Sequence, residues 1–263
     1  MTPTCQTEPE AWTLARPLSS QNALVTGASS GIGRAVALAL ARQGASLHLV
    51  GRSAKALAEL VDEASQFSSV KGCQLDLTDD NGIESLIGSM AESGTLDILV
   101  HSAGVFHQSR MADAAVEDFD RQYAVNLRAP YVLTQRLLPR LIASHGQIVF
   151  INSTVGLANK RPEVGQYAAM KHGLKAIADS LREEVNQKGV RVLTVYLGRT
   201  ATPMQEAIFR EEGRAYRPDT LLQPKDIASL LIHTLSLPRT VEVTDISIRP
   251  MADHANSGLG KGS

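Results

Sequence analysis

Cysteine is almost absent. The 263-residue chain carries only Cys5 and Cys73, with no CxxC pair and no histidine at zinc-binding spacing. This excludes a disulfide framework and a zinc site, and it fits a reducing compartment. Charge of one sign is also lacking: 26 Lys and Arg stand against 27 Asp and Glu, a formal net charge of -1. No global field draws nucleic acid or anionic lipid, so neither is expected as a partner. No apolar run nears the roughly 20 residues that a membrane-spanning helix needs. Glu8 and Glu10 stand where a secretion signal would be hydrophobic, which leaves the cytoplasm as the expected location.

What is present is the composition of a globular chain, 43% hydrophobic and 20% charged, able to bury much of its surface. Residues 1–18 read as a loose lead-in, 19–254 as a single domain and 255–263 as a glycine-rich tail. Short apolar runs at Ala23–Thr26, Leu47–Val50, Gly72–Leu77, Leu96–His101, Gln147–Ile151 and Val190–Tyr196 read as buried strands, with Glu242–Ile248 as a seventh. Between them, helical spacing covers Ile32–Arg42, Lys55–Phe67, Gly82–Glu92, Arg128–Ala143 and Gly173–Gln187. Such alternation predicts an α/β fold, a doubly wound parallel sheet with helices on both faces. Residues 203–222 interrupt the pattern and read as a candidate substrate lid.

The first strand ends in Gly27-Ala28-Ser29-Ser30-Gly31-Ile32-Gly33 and runs into a helix. Glycines there let backbone N–H groups approach a pyrophosphate at the positive end of the helix dipole. They would equally serve a tight turn with no ligand. The same stretch matches the G-x-S-x-G elbow of serine hydrolases, with Ser29 as nucleophile and His233 or His254 as partner. Against that reading, an elbow serine follows several strands, whereas Ser29 follows the first.

About 20 residues after such a turn, an acid selects NAD by binding the ribose 2′-hydroxyl. Here the place holds Arg52 and Ser53. A guanidinium can fork onto a 2′-phosphate, which favours NADP(H) over NAD(H); the plainer reading is a solvated loop arginine. Arg34 reads as solvated.

Tyr167 and Lys171 are one helical turn apart, which places the ammonium near the phenol and predicts a lowered tyrosine pKa and a better proton donor. Ser153 follows the fifth strand at the carboxyl edge of the sheet, where a hydroxyl can hold a substrate carbonyl or merely cap a turn.

Taken together, Thr26–Gly33, Asn126, Ser153 and Tyr167–Lys171 resemble the single-domain branch of the short-chain dehydrogenase/reductase family. The resemblance implies a Rossmann fold with strand order 3-2-1-4-5-6-7, a nicotinamide cofactor and a homodimer or homotetramer. Residue by residue it implies that Tyr167 donates a proton, Ser153 holds the carbonyl oxygen and Lys171 also binds the nicotinamide ribose. Asn126 would hold a proton-relay water. Asp76 would meet the adenine amino group with Leu77 beside the ring, although Asp76 could instead be a helix N-terminal charge. Thr200 and Thr202 would fix the carboxamide, with Gly198 allowing close approach. Two departures stand out: His101-Ser102-Ala103-Gly104 replaces the usual Asn-Asn-Ala-Gly, and Leu197-Gly198 replaces Pro-Gly. Ala103 and Gly104 keep a small surface for the cofactor, and His101 reads as structural. Val155, His107 and Met204 are the candidate substrate contacts. The expected activity is NADPH-dependent reduction of a ketone or aldehyde. A non-catalytic NADP-binding sensor is the alternative, with serine hydrolysis at Ser29 behind it.

Overall fold

The computed structural model describes residues 17–90, 94–158 and 161–251. Most of the expected lead-in, the whole tail, Cys5 and His254 lie outside the described residues. Seven strands form one parallel sheet: β1 (Asn22–Thr26), β2 (Ser46–Gly51), β3 (Val70–Gln74), β4 (Ile98–His101), β5 (Gln147–Ser153), β6 (Arg191–Leu197) and β7 (Asp245–Ile248), in the order β3-β2-β1-β4-β5-β6-β7. This is the doubly wound Rossmann order expected from the resemblance.

Side chains alternate across the sheet with period two. Ala23, Val25, Ile98, Val100, Val149 and Val195 enter one core with α1 (Gly31–Arg42), α2 (Ala54–Ala64) and α8 (Pro224–Leu235). Leu24, Leu99, Ile148, Phe150 and Val192 enter the other with α3 (Asp80–Ser89), α5 (Ala129–Ala143) and α6 (Gly165–Val185). Covering both faces makes the central strands continuously apolar, which is why their runs show in the sequence.

The edges depart from expectation. β3 begins at Val70 and is half-exposed rather than buried, because it has a neighbour on one side only. Leu75 and Leu77, which drew the expected strand downstream, are buried beyond its end. β5 extends through Ser153, so that residue is the last of the strand rather than the first after it. Two helices went unread: α4 (Val116–Tyr123), followed by a π-helical turn at Ala124–Arg128, and α8. The candidate lid contains helix α7 (Pro203–Glu211) and a short 3-10 turn at Pro218–Thr220.

Candidate active site

At the carboxyl ends of β1, β2 and β4 a cleft opens between the glycine turn and the loop after β4. Gly27 has φ +68, and a side chain there would meet the Ala103 backbone at 2.7 Å. A Cβ at Gly33 would strike the carbonyl of Gly27. Thr26 Oγ1 accepts from Ser102 N (3.2 Å) and Ala103 N (3.3 Å), tying the two loops together. The glycines thus let the chain approach itself closely, and that approach makes a walled cradle at the start of α1, where first-turn N–H groups lack intrahelical partners. Gly27, Ser29, Ser30, Gly31, Ile32, Gly33, Arg52, Asp76, Leu77, Ser102, Ala103, Gly104 and Thr202 all line it. The residues fit a dinucleotide: a glycine-walled helix terminus at one end and apolar walls at Val50, Leu75 and Leu77.

Arg52 follows β2, and among the described residues nothing holds its guanidinium; its backbone carbonyl accepts from Gln74. Ser53 does not line the cleft. Its hydroxyl accepts from Ala56 N at 3.3 Å and caps α2. Arg34 is paired with Glu63 at 2.5 Å rather than simply solvated. Asp76 reaches the cleft with its carboxylate engaged by Thr78 N, Thr78 Oγ1 and Arg121 Nη2 at 2.8–3.0 Å. Burial works to raise that carboxyl, and Arg121 with Thr78 outweighs it, holding it below the usual range.

An adjoining pocket of about 580 Å³, a size suited to a small molecule, is lined by Ser153, Val155, Tyr167, Lys171, Gly198, Thr200 and Met204, and it shares Thr202 and Gly104 with the cleft. α6 begins eight residues earlier than its apolar periodicity shows, so Tyr167 and Lys171 sit in its first two turns. The Ser153 hydroxyl lies close enough to the Tyr167 phenol to favour its ionised form, and it accepts from Val155 N at 3.3 Å. Lys171 Nζ donates to the Ile151 carbonyl at 3.1 Å and lies 5.6 Å from the centre of the Tyr167 ring. Burial pushes the Tyr167 phenol up to about 12, opposed by the Ser153 hydroxyl, and pushes the Lys171 ammonium down to about 8. The expected lowering of the tyrosine by the lysine is therefore not found. Desolvation dominates.

Asn126 lies in the π-helical turn, buried, with Oδ1 accepting from Val105 N (2.9 Å) and Nδ2 donating to Val105 O (2.8 Å). Its amide thus ties the π-helical turn to the loop after β4. Thr200 donates to Gly198 O, and Thr202 caps α7 by accepting from Gln205 N. A side chain at Gly198 would press on Arg249 and Pro250, so the close approach it allows is to the β7 end of the chain. His107 does not line the pocket; it faces Asp118 at 3.3 Å. His101 is buried, stacked on Phe150 and joined to Thr134 Oγ1 at 2.8 Å, and burial drives its pKa down to about 3, which fits a structural role. For Ser29, among the described residues, no hydrogen bond to a histidine exists, and His233 is exposed on α8.

Several pocket-building residues escaped the sequence reading. Phe106 meets the Tyr167 ring edge-on at 5.0 Å. Asn152 accepts from Ser153 N and donates to Lys171 O, holding the β5 end to α6. Gln122 donates to Gln166 Oε1 at 2.9 Å and anchors the start of α6 to α4. Arg161, Arg199, Glu212 and Arg214 line the pocket wall. Asn152, a polar residue directly after an apolar strand run, offered a signal; Gln122 sits in a polar stretch and offered none.

The sequence pattern of the short chain dehydrogenase family matches residues 21–213. An uncharacterized oxidoreductase of Staphylococcus epidermidis is 33% identical over 231 residues, covering 87% of this chain and 96% of that protein. A glycine betaine reductase of Emericella nidulans is 37% identical over 246 residues; the match covers 89% of this chain but spans only 19% of that protein's length. Among solved structures, a metagenomic short-chain oxidoreductase in complex with NADP superposes with TM-score 0.77 at 30% identity, covering 90% of this chain and 100% of that one. With its sheet order, glycine turn and Ser-Tyr-Lys cluster in place, the chain belongs to the short-chain dehydrogenase/reductase family of oxidoreductases.

Proposed function

We propose that the protein reduces a ketone or aldehyde to an alcohol, reversibly, with NADPH preferred over NADH. The observation that carries this is the convergence of Ser153, Tyr167 and Lys171 on one pocket that opens into the glycine-walled cleft. The nicotinamide of a bound cofactor supplies or accepts the hydride. Ser153 Oγ orients the carbonyl oxygen, and Tyr167 Oη gives it a proton. With its phenol up at about 12, Tyr167 stays protonated at neutral pH, the state a donor needs. Lys171 faces the phenolate left behind, and Asn126 holds the water that restores the proton. Arg52 supports NADP selection, as does the NADP bound to the metagenomic relative. The same reading makes residues 203–222 a lid over a single cytoplasmic domain that works as a homodimer or homotetramer.

Fluorescence titration should show tight NADPH and weak NADH binding, with Arg52→Ala lowering NADPH affinity by roughly tenfold or more. Tyr167→Phe should cut ketone turnover by roughly 10²-fold or more while keeping that affinity. Full turnover in that variant would sink the assignment.

A further inference from the structure

One wall of the catalytic pocket carries a surplus of positive charge that the proton-transfer chemistry does not use. Glu212, whose side chain is only 10% exposed, accepts from Arg199 Nη2 at 2.8 and 3.0 Å, from Arg161 Nη2 at 2.9 Å and from Arg214 Nη1 at 3.0 Å. The three arginines come from different places: the approach to α6, the end of β6 and the turn after α7. Phe209 of α7 supports two of them, with the guanidiniums of Arg199 and Arg214 each 4.8 Å from its ring centre. All four charged residues line the pocket together with Ser153 and Tyr167.

The arithmetic is uneven. Counting the charged side chains that line this pocket, Arg161, Lys171, Arg199 and Arg214 stand against Glu212 alone. Burial works to raise the Glu212 carboxyl, and the guanidiniums outweigh it, holding it below the usual range. Arg199 Nη1 is buried without a hydrogen-bond partner among the described residues. A latch fixing α7 to the body of the protein needs one arginine on that carboxylate. Arg161 also donates to Gln108 Oε1 at 3.3 Å; three partly buried guanidiniums gathered on one wall repel one another and give up hydration, a cost that an anion in the pocket offsets. Phe106, Val155, Met204 and Ile208 add apolar surface to the same pocket. That combination suits a short carbon chain ending in an anionic group.

We infer that the substrate is a carbonyl compound bearing an anionic oxygen group, a carboxylate or a phosphate, held by the Arg161–Arg199–Arg214 wall while its carbonyl meets Ser153 and Tyr167. The inference rests on the reductase reading of the same pocket. Forked guanidiniums recognise either anion through paired, charge-assisted hydrogen bonds.

The test is a comparison of matched substrates with NADPH: 4-oxopentanoate against its methyl ester, and dihydroxyacetone phosphate against dihydroxyacetone. The anionic member of at least one pair should have a kcat/KM about tenfold or more above its neutral partner. The difference should lie mainly in KM and shrink as ionic strength rises. In Arg199→Gln that ratio should fall by about tenfold to a hundredfold, and Arg199→Lys, which keeps the charge without the fork, should fall between. Arg161→Gln, at a half-exposed position, serves if the Arg199 variants fail to fold. Equal kcat/KM within both pairs, with the neutral compounds reduced, would overturn the anion site and leave the reductase reading standing. A preference untouched in Arg199→Gln and Arg161→Gln would also overturn it. If no carbonyl compound, charged or neutral, is reduced, the reductase reading falls and takes this inference with it.

Discussion

Lys171 shows how a side chain can be placed for chemistry at a cost to stability. Its ammonium is buried, with the Ile151 carbonyl as hydrogen-bond acceptor, and its pKa falls from 10.5 to about 8. The folded protein therefore holds that proton less tightly than the unfolded chain. Below about pH 8 the burden is fully present, roughly 3 kcal/mol. From about pH 8 to 10.5 the unfolded chain binds more protons, so this contribution to stability rises with pH. Tyr167, raised from 10 to about 12, acts in the opposite sense, and its contribution falls between those values. Replacing Lys171 with Met should raise Tm at pH 7 by a few degrees, after the loss of the Ile151 hydrogen bond, and abolish turnover. The Tm gap between variant and parent should close as pH climbs from 7 to 9.5. Thermal scans across that range decide it, since a gap independent of pH would show that desolvation of the ammonium is not the cause.

At the scale of elements, the site depends on how closely α1 approaches the turn that precedes it. Gly33 sits where a Cβ would strike the Gly27 carbonyl, and Gly27 itself is left-handed and pressed against Ala103. Gly33→Ala should push α1 away from the turn and lower stability by roughly 2 kcal/mol or more. NADPH affinity should drop with it, because the helix terminus moves off the cleft. Denaturant unfolding together with nucleotide titration checks both effects, and an unchanged affinity would show that the cleft tolerates the shift. The start of α6 makes a related point. Its first two turns bury Gln166 and Lys171 beside Ala168 and Met170, so apolar periodicity fails where the site is built and resumes only near Gly173. Local rules break at functional positions because those positions are selected for chemistry rather than packing.

For the whole molecule, the unpaired surface of α4 and α5 bears on assembly. Val116, Phe119, Tyr123 and Tyr131 are each at least 41% exposed on these two helices. If the protein works as a homodimer or homotetramer through this face, sedimentation equilibrium should give a multiple of the 28.2 kDa chain mass. Phe119→Glu combined with Tyr131→Glu should then shift it to the monomer mass, since charges at an interface core are strongly disfavoured. A parent protein already monomeric would remove this face from the proposal. No described helix is long and apolar enough to cross a membrane.

The sequence by itself determined the parallel α/β sheet, the strand-to-helix glycine turn, and Tyr167 with Lys171 on one helix face, because these are local: continuous apolar strands, a glycine at positive φ, an i to i+4 spacing. The half-exposed edge at β3 could not be read from its neighbours in the chain, since exposure depends on which strand lies beside it. α8 was legible in principle, with Pro224 in its first turn and Ile227, Leu231 and Leu235 on one face. Only the tertiary structure decided the electrostatics. Desolvation sets Tyr167 and Lys171 apart from their expected pKa values, and Arg161, Arg199 and Arg214 become one charged wall because the fold brings residues up to 51 positions away onto Glu212. Charge and burial act through space, where sequence separation has no bearing.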